Sequence, residues 1–184
     1  MKKIIILICL LTILTILILT NNFILVDTFV YEKISLLNCD FLTNFLKIFT
    51  FLGNTISVIV IYLLLVIYLI LTKKSFKDVI LLGLISVIIN FSIKNIVRKP
   101  RPNVNKLISE TGFSFPSGHA QNNTVLYKNL NKTFNIKILS YVVIFLISIS
   151  RVYLGVHYFS DILIGFLLGE LIYSVYYYIK DNML

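Results

Sequence analysis

The chain reads KNIVRKPRP at residues 94–102, PSGH at residues 116–119 and SRVYLGVHYFSD at residues 150–161. These three stretches contain both histidines of the chain and nearly every residue that can take part in acid–base or nucleophilic chemistry. Apolar runs surround each of them. The sequence therefore predicts apolar helices that carry three short polar stretches to one common site.

The composition is that of an integral membrane protein. Of the 184 residues, 58% are apolar and the mean hydropathy is +0.93, whereas soluble domains hold about 45–50% apolar residues. No linker-like composition and no internal repeat divides the chain, so we expect one membrane domain over residues 1–184. The net charge of +9 does not indicate a nucleic-acid-binding protein, because the cations stand at the ends of apolar runs and not on an aqueous face.

Five clear apolar segments predict transmembrane helices, since a bilayer requires about 20 apolar residues per helix. They cover residues 4–26, 56–71, 79–93, 138–154 and 162–178. In the first, the apolar run 4–19 resumes at 23–26, which favours an uncleaved helix over a signal peptide. A sixth segment, residues 118–134, is atypically polar, but it has to cross the membrane if all three stretches are to lie on one side. We therefore predict an all-α, polytopic membrane helix bundle with six transmembrane helices, the fourth of them polar.

Between residues 30 and 54, apolar side chains recur at helical spacing among polar ones. They are Phe41, Phe45, Ile48, Phe49 and Leu52. Two structures fit this pattern equally well. The segment is either an amphipathic helix in the membrane interface or a short helix packed on the bundle.

The distribution of Lys and Arg predicts the orientation of the helices. Lys2 and Lys3 place the N-terminus in the cytoplasm, and the lysines of residues 73–77 return the chain to that side. The loop that begins at Lys94 then lies outside, although it is strongly basic and so conflicts with the rule that cytoplasmic loops are the positive ones. An anionic substrate bound by these cations explains the conflict.

Each stretch contains residues suited to phosphate chemistry, and each also has a plainer interpretation. Lys94 and Arg101 stand two helical turns apart, which suits an anion held by an ammonium and a proline-locked guanidinium, but alone they are typical of a basic membrane flank. Residues 116–118 predict either a helix N-terminus that attracts anions or simply a turn. His157 and Asp161 are four residues apart, so on a helix the carboxylate would orient the imidazole. A buried pair of this kind is more often structural.

Together the three stretches resemble the signature of the type 2 phosphatidic acid phosphatase (PAP2) superfamily, which is K-x6-RP, PSGH and SR-x5-H-x3-D. Every specified position agrees, in order and at the signature's spacing, between Lys94 and Asp161. By this resemblance His157 is the nucleophile, Asp161 orients it, and His119 acts first as an acid and then as a base. The phosphate-binding residues that the resemblance implies are Lys94, Arg101, Ser117, Gly118 and Arg151.

The resemblance implies a metal-independent membrane phosphatase that hydrolyses a lipid phosphate or diphosphate through a phosphohistidine and needs no cofactor. Undecaprenyl diphosphate is the first substrate expected, and phosphatidate and phosphatidylglycerol phosphate present the same group. The expected location is the cell membrane, with the active site on the outer face. The alternative is a non-catalytic lipid-binding or transport component on the same scaffold, which the polarity of residues 118–134 favours.

Other charged residues and the cysteines receive no role from the sequence. Arg98 and Lys99 either attract the lipid headgroup electrostatically or are solvated charges, and the second interpretation is preferred. Cys9 and Cys39 show neither metal-ligand spacing nor a disulfide framework. No group of His, Cys, Asp and Glu has the spacing of a metal site. The partners expected are a lipid phosphate substrate and membrane lipids, with no nucleic acid, and the sequence does not predict the oligomeric state.

Overall fold

The computed structural model describes residues 1–183, and every regular element in that range is an α-helix. The helices are α1 (Lys2–Leu19), α2 (Ile24–Ser35), α3 (Asp40–Leu52), α4 (Thr55–Leu71), α5 (Lys77–Val97), α6 (Gly118–Phe134), α7 (Lys137–Tyr153) and α8 (Phe159–Met183). The all-α class predicted from the sequence is confirmed for these residues. The connection between α5 and α6, residues 98–117, is the longest, and the others are short.

The first apolar segment forms two helices instead of one. α1 ends at Leu19, and α2 begins at Ile24 after a turn in which Asn21 has a φ of 60°. Asparagine adopts this left-handed conformation more readily than most other residues with a side chain, and so it favours a turn. The expectation that residues 23–26 lengthen the first transmembrane helix is therefore wrong.

Helix α3 packs on the bundle along one face and is exposed along another. Leu46 is 5% exposed and lies in a cluster with Tyr153 and Leu154 at the end of α7. On the other face, Phe41 and Ile48 are 80% and 60% exposed. The helix expected from the apolar spacing is present and packs on the bundle, while its placement in the membrane interface stays a prediction.

Several helices are long and apolar enough to make this a membrane protein. In the described part of the chain, α1, α5 and α8 each have the length and composition of a membrane span, and α3 and α4, bent by 54° relative to each other, count as a fourth candidate if they form one span. α6 and α7 have 17 residues each. That corresponds to about 26 Å of helix, which is the lower end of what a bilayer requires.

The polar helix α6 lies at the centre of the bundle. It packs against α5, α7 and α8, and the side chains of Gln121, Asn123 and Thr124 are completely buried. A polar group facing hydrocarbon is unfavourable because it finds no hydrogen-bond partner there, whereas neighbouring helices can supply one. Its central position therefore explains how a helix this polar is accommodated in a membrane bundle.

Neighbouring elements supply hydrogen-bond partners to α6. Asn90 of α5 donates to Gln121 Oε1 at 3.0 Å, and Gln121 Nε2 donates to the Ser86 carbonyl oxygen at 2.8 Å. On another side, Asn123 Nδ2 donates to the Gly53 carbonyl oxygen at 3.0 Å. These bonds fix the rotation of α6 about its axis and thereby the direction of the residues at its N-terminus.

A buried carboxylate ties α6 to three other helices. Lys128 Nζ lies 2.8 Å from both oxygens of Glu170 on α8. Glu170 also accepts from Lys3 of α1 at 2.7 Å and from the Tyr141 hydroxyl of α7 at 3.1 Å. Glu170 is only 5% exposed. A buried carboxylate is stable only when it is paired, so these three donors are needed to keep Glu170 buried.

Two glycines let α8 approach α6 closely. A Cβ on Gly165 would lie 2.6 Å from the Ser117 carbonyl oxygen, and a Cβ on Gly169 would lie 2.6 Å from Thr124 Cβ. Atoms do not approach this closely, so only glycine fits at either position. The spacing of four residues places both glycines on one face of α8, as in other close pairs of membrane helices.

A larger side chain at Gly169 should separate these two helices. We expect Gly169→Leu to lower the free energy of unfolding by about 1–3 kcal/mol, because the new side chain overpacks the contact with Thr124. The measurement is the thermal midpoint of the detergent-purified protein. Thr12→Leu, on an exposed face of α1, is the matched control and should leave the midpoint unchanged. Equal midpoints for Gly169→Leu and the wild type would contradict the close contact.

Candidate active site

The loop of residues 98–117 begins with a sharp change of direction. α5 ends where Arg98 adopts a left-handed conformation with a φ of 52°. Pro100 and Pro102 then impose an extended path, because proline cannot continue a helix and restricts the residue before it. Arg101 is therefore held on a stiff segment, as the sequence predicts.

Hydrogen bonds close this loop at its base and hold it over the turn between α7 and α8. The Ser114 N–H donates to the Lys99 carbonyl oxygen at 2.8 Å and closes the base of the loop. The Leu107 N–H donates to the Leu154 carbonyl oxygen at 3.1 Å. The loop thereby meets residues 154–158, which contain one of the two histidines.

Arg101 donates to the imidazole of His157. Its Nη1 lies 3.2 Å from His157 Nε2 and 2.8 Å from the Val156 carbonyl oxygen, and its Nη2 lies 2.8 Å from the Thr111 carbonyl oxygen. Because a guanidinium can only donate, Nε2 has to accept, so it carries a lone pair and the ring proton is on Nδ1. Nε2 is thus in the form that a nucleophile requires.

Asp161 faces the other ring nitrogen of His157. Its Oδ2 lies 3.4 Å from His157 Nδ1, but the alignment is too poor for a hydrogen bond, and the same Oδ2 accepts the Tyr158 N–H at 3.0 Å. Only Asp161 is helical, since His157 precedes α8, so the two residues do not share a helical face. They meet because Asp161 lies in the first turn of α8 and reaches back over the start of the helix.

Burial keeps His157 neutral. Its side chain is 2% exposed. Burial disfavours the imidazolium and lowers the pKa of His157 to about 4, although the neighbouring Asp161 acts in the opposite direction. At pH 7 the imidazole is therefore uncharged, and its Nε2 lone pair is available for attack on an electrophile.

Arg151 at the end of α7 is held by Glu110 and Thr50. Its Nη2 bonds to Glu110 Oε1 and its Nη1 bonds to Thr50 Oγ1. The other oxygen of Glu110 lies 3.7 Å from Arg101 Nη2. Burial acts to raise the pKa of Glu110, but the two guanidiniums outweigh burial and hold the pKa below its ordinary value. An ionised carboxylate therefore bridges the two arginines.

The N-terminus of α6 lies beside Asp161. Ser117 caps the helix, with its Oγ 3.5 Å from the Ala120 nitrogen, and its own N–H donates to the Asp161 carbonyl oxygen at 3.0 Å. The N–H groups of Gly118 and His119 have no acceptor within the helix, because the first turn of any helix leaves them free. Such a terminus attracts anions.

His119 and Lys94 complete the set of residues predicted from the sequence. Arg151 lies close enough to His119 to disfavour a positive charge on that imidazole, and Arg101 lies close enough to Lys94 to act on its ammonium group in the same way. Lys94 Nζ also donates to the Phe113 carbonyl oxygen at 2.9 Å. The structure thus gathers all the predicted site residues into one cluster at the end of the bundle where α6 and α8 begin.

Lys99, Ser160 and Asp27 form a second network around Asp161. Lys99 Nζ lies 3.0 Å from Asp161 Oδ1 and 2.9 Å from Ser160 Oγ. Asp27 of α2 accepts from both the N–H and the hydroxyl of Ser160 at 2.7 Å. The interpretation of Lys99 as a solvated charge is therefore wrong, whereas its neighbour Arg98 is exposed as expected.

The comparison with known families now decides what this cluster belongs to. The family model described as PAP2 superfamily matches residues 75–183, which is more than half of the chain. The chain belongs to the PAP2 superfamily. Among curated proteins, it is 38% identical over 98 residues to phosphatidylglycerophosphatase B of Bacillus subtilis (strain 168). That alignment covers 47% of this chain and 48% of the relative, about half the length of each.

Two solved structures share the PAP2 fold seen here. The transmembrane PAP2-type phosphatidylglycerolphosphate phosphatase from Bacillus subtilis has a TM-score of 0.90 and 26% identity, over 100% of this chain and 98% of that one. LpxE from Aquifex aeolicus has a TM-score of 0.70 and 27% identity, over 79% of this chain and 91% of that one. The all-helical, PAP2-like membrane fold expected from the three motifs is therefore confirmed.

The PAP2 signature leaves several residues of the cluster unspecified. Lys99, Glu110 and Thr50 all bond to signature side chains, and Asp27 is connected to Asp161 through Lys99. No pattern in the sequence distinguishes these residues from other loop and surface residues. Their contacts depend on how the long loop, α2 and α3 fold over the site, which motif spacing does not encode.

Removing the Lys99 cation should impair this PAP2 site. We expect Lys99→Met to lower kcat about tenfold or more, because Asp161 and Asp27 would then lie near each other without a counter-cation. The measurement is the initial rate of phosphate release from a lipid phosphate in detergent, over a range of pH. Arg98→Met removes the adjacent, exposed cation and should keep the wild-type kcat. An equal loss in both variants would contradict a specific role for Lys99.

The state of His157 can be observed directly, because the chain has only two histidines. In a His119→Asn variant labelled with nitrogen-15 histidine, we expect NMR to show the proton of His157 on Nδ1 at neutral pH. Nε2 should become protonated only as the pH falls through about 4, since burial lowers the pKa. A midpoint near the ordinary value of about 6.5, or a proton on Nε2 at neutral pH, would contradict this assignment.

Proposed function

We propose that this chain hydrolyses a lipid phosphate or diphosphate without a metal ion, through a covalent phosphohistidine on His157. The observation that carries the proposal is the pair of contacts on the His157 ring, with Arg101 Nη1 at 3.2 Å from Nε2 and Asp161 Oδ2 at 3.4 Å from Nδ1. A neutral imidazole whose lone pair lies beside a guanidinium is well placed to attack a phosphorus atom whose oxygens that guanidinium binds.

In the first step, His157 Nε2 attacks the phosphorus atom and the bond from phosphorus to the leaving oxygen breaks. His119 donates a proton to that oxygen as it leaves with the lipid. Asp161 accepts from Nδ1–H and stabilises the positive charge that forms on the imidazole. Arg101 turns an N–H from Nε2 to a phosphate oxygen when the substrate binds.

In the second step, water replaces the histidine on phosphorus. His119, which is now neutral, accepts a proton from the attacking water, the bond between nitrogen and phosphorus breaks, and inorganic phosphate leaves. One water is consumed for each phosphate released. Both histidines return to their starting protonation states, so the cycle is complete without a co-reactant.

Positive charge from the protein supports this chemistry in place of a metal, because phosphoryl transfer chiefly needs positioning and neutralisation of charge on the phosphate oxygens. Lys94, Arg101 and Arg151 supply three cations, and the first turn of α6 supplies N–H donors. Glu110 bridges the two arginines. We infer that the substrate phosphate displaces this carboxylate.

An apolar cleft beside His119 supports a lipid as the leaving group. The cleft has a volume of about 590 Å³ and extends from Gly118 and His119 between α4 and α5, past side chains such as Val58, Leu63 and Val87. Since His119 protonates the leaving oxygen, the leaving group lies on the side of this cleft. An acyl or prenyl chain attached to that oxygen would then remain among apolar side chains.

The relatives support phosphatidylglycerol phosphate as the first substrate to test. One is named phosphatidylglycerophosphatase B, and one structural neighbour is a phosphatidylglycerolphosphate phosphatase. Undecaprenyl diphosphate, which was expected first from the sequence, and phosphatidate stay within the proposal, because each presents a terminal phosphate to the same cations. The choice among them depends on how the lipid chain fits the cleft between α4 and α5.

We propose six membrane spans, α1 and α4 to α8, with the active site at the outer face. The cations of residues 73–77, Lys128 and Lys180 lie toward the end of the bundle away from His157, which suits the cytoplasmic side. Gln121, Asn123 and Lys128 of α6 find partners within the bundle, so this helix can cross the membrane with these side chains turned away from lipid. The basic loop of residues 98–117 is then explained by its phosphate-binding role.

The polarity of residues 118–134 no longer favours a non-catalytic lipid-binding or transport protein. That polarity is accounted for by the central position of α6 and by the partners of Gln121, Asn123 and Lys128. A binding protein would also have no need of a neutral imidazole oriented by a carboxylate.

The proposal is tested by phosphate release from the detergent-purified protein with EDTA present. We expect release from at least one of phosphatidylglycerol phosphate, phosphatidate and undecaprenyl diphosphate, and a loss of about a thousandfold or more in His157→Ala, because the nucleophile is missing. In His119→Ala the first step lacks its acid and the second step lacks its base, so phosphate release should fall in this variant as well.

The two halves of this proposal fail in different ways. Release that persists in folded His157→Ala would contradict the covalent mechanism but not the phosphatase activity. Lack of release from all three lipids by folded wild-type protein would contradict the activity itself.

A further inference from the structure

A small polar cavity, the inner cavity, lies at the end of the bundle away from His157. It has a volume of about 170 Å³ and is lined by the last turns of α4, the start of α5 and the C-terminal halves of α6 and α8. The active site uses the other ends of α5, α6 and α8. Between Gly118 and Asn129 the helix α6 rises about 16 Å, so the inner cavity is separate from the active site.

Asn129 lines this cavity with a buried amide that has no partner. The residue is 1% exposed, and neither Oδ1 nor Nδ2 has a hydrogen-bond partner among the described residues. The hydroxyl of Tyr62, which is also unpaired, lies nearby, but it can satisfy only one of the two amide atoms. Since buried polar groups are nearly always paired, the remaining amide atom is available to a polar ligand in the cavity.

Two lysines make the inner cavity positive. Lys74 and Lys132 both line it, and Lys132 Nζ is held 3.5 Å from the ring centroid of Tyr177. Asp78 lines it as well, but its carboxylate forms an ion pair with Lys180. With Asp78 neutralised in this way, the charge left for a ligand is that of the two lysines.

Helix α5 begins at this cavity without a side-chain cap. Ser75, just before the helix, and Asp78 in its first turn both line the cavity. The first N–H groups of α5 have no acceptor within the helix, and the helix dipole favours an anion near them. A helix N-terminus alone would not make a site, but here it coincides with two cations and an unpaired buried amide.

We propose that the inner cavity binds the phosphate group of an anionic ligand, independently of the active site. A tetrahedral oxoanion would accept from the Asn129 amide, from the first N–H groups of α5 and from Lys74 and Lys132. Two sources offer this chemistry, namely free phosphate and the headgroup of an anionic phospholipid in the leaflet at this end. The paired rings of Tyr68 and Phe134, 4.9 Å apart, adjoin the lining residues in the chain and would lie beside the acyl chains of a lipid.

The test is the thermal unfolding of the full chain in detergent, in an Arg101→Gln background that weakens phosphate binding at the active site. The additions are inorganic phosphate, dioleoylphosphatidylglycerol and dioleoylglycerol, which has the same chains but no phosphate. We expect a rise in the midpoint of about 3–5 °C at ten times the dissociation constant, and none with dioleoylglycerol. A rise with inorganic phosphate would show that free phosphate is sufficient to occupy the inner cavity. A rise with the phospholipid alone would identify the ligand as a lipid headgroup.

Two double variants separate the inner cavity from general effects of charge. In the Arg101→Gln background, Lys74→Gln/Lys132→Gln should abolish the rise in the midpoint. In the wild-type background the same double variant should keep the wild-type kcat and KM, because neither lysine touches the active site. Lys73→Gln/Lys137→Gln removes two exposed lysines that do not line the cavity and should keep the rise. An unchanged rise in the first variant, an equal rise with dioleoylglycerol, or no rise with any addition would overturn the site. None of these outcomes depends on whether the chain is a phosphatase.

Discussion

The rest of the structure depends on keeping the polar helix α6 away from lipid. A helix that carries Gln121, Asn123 and Asn129 has to find its hydrogen-bond partners among other helices, because hydrocarbon offers none. The surrounding helices are adapted to this need. α5 contributes Asn90 and Ser86, and α8 contributes Glu170 together with glycines that permit close contact. The polarity of one helix therefore determines the arrangement of its neighbours.

This arrangement also explains why the site lies where it does. The N-terminus of α6 is at the middle of one end of the bundle, and the end of α5, the end of α7 and the start of α8 surround it. Residues far apart in the sequence, from Lys94 to Asp161, are brought together by this convergence. The cluster contains the cations Lys94, Lys99, Arg101 and Arg151 and the carboxylates Asp27, Glu110 and Asp161. Four cations against three carboxylates leave the cluster with an excess of positive charge, and in the proposed reaction the phosphate displaces one carboxylate, Glu110.

The sequence predicted those parts of the structure that rest on local spacing. The motif residues can be found from the sequence because their spacing along the chain is specific. The helix of residues 118–134 can be predicted because the motifs would lie on opposite sides of the membrane if this segment did not cross it. The break between α1 and α2 at Asn21 cannot be predicted in this way. Apolar residues on both sides of the turn continue the pattern of a single helix, and the turn itself depends on one left-handed residue. Lys99 and Glu110 were missed for a different reason. Their contacts depend on how the long loop of residues 98–117 folds over the site. The fold of such a loop does not produce a periodic pattern in the sequence.

The two ends of α6 follow the same physical rule. At its N-terminus the unpaired N–H groups of Gly118 and His119 lie beside cations that bind a phosphate in the proposed reaction. Toward its C-terminus the unpaired amide of Asn129 lies beside Lys74, Lys132 and the uncapped start of α5. Between them, Gln121 and Lys128 bond to α5 and α8, and Asn123 donates to the Gly53 carbonyl oxygen. In a membrane bundle an unpaired polar group is favourable where water or a ligand can reach it, and at each end of α6 such groups lie beside cations.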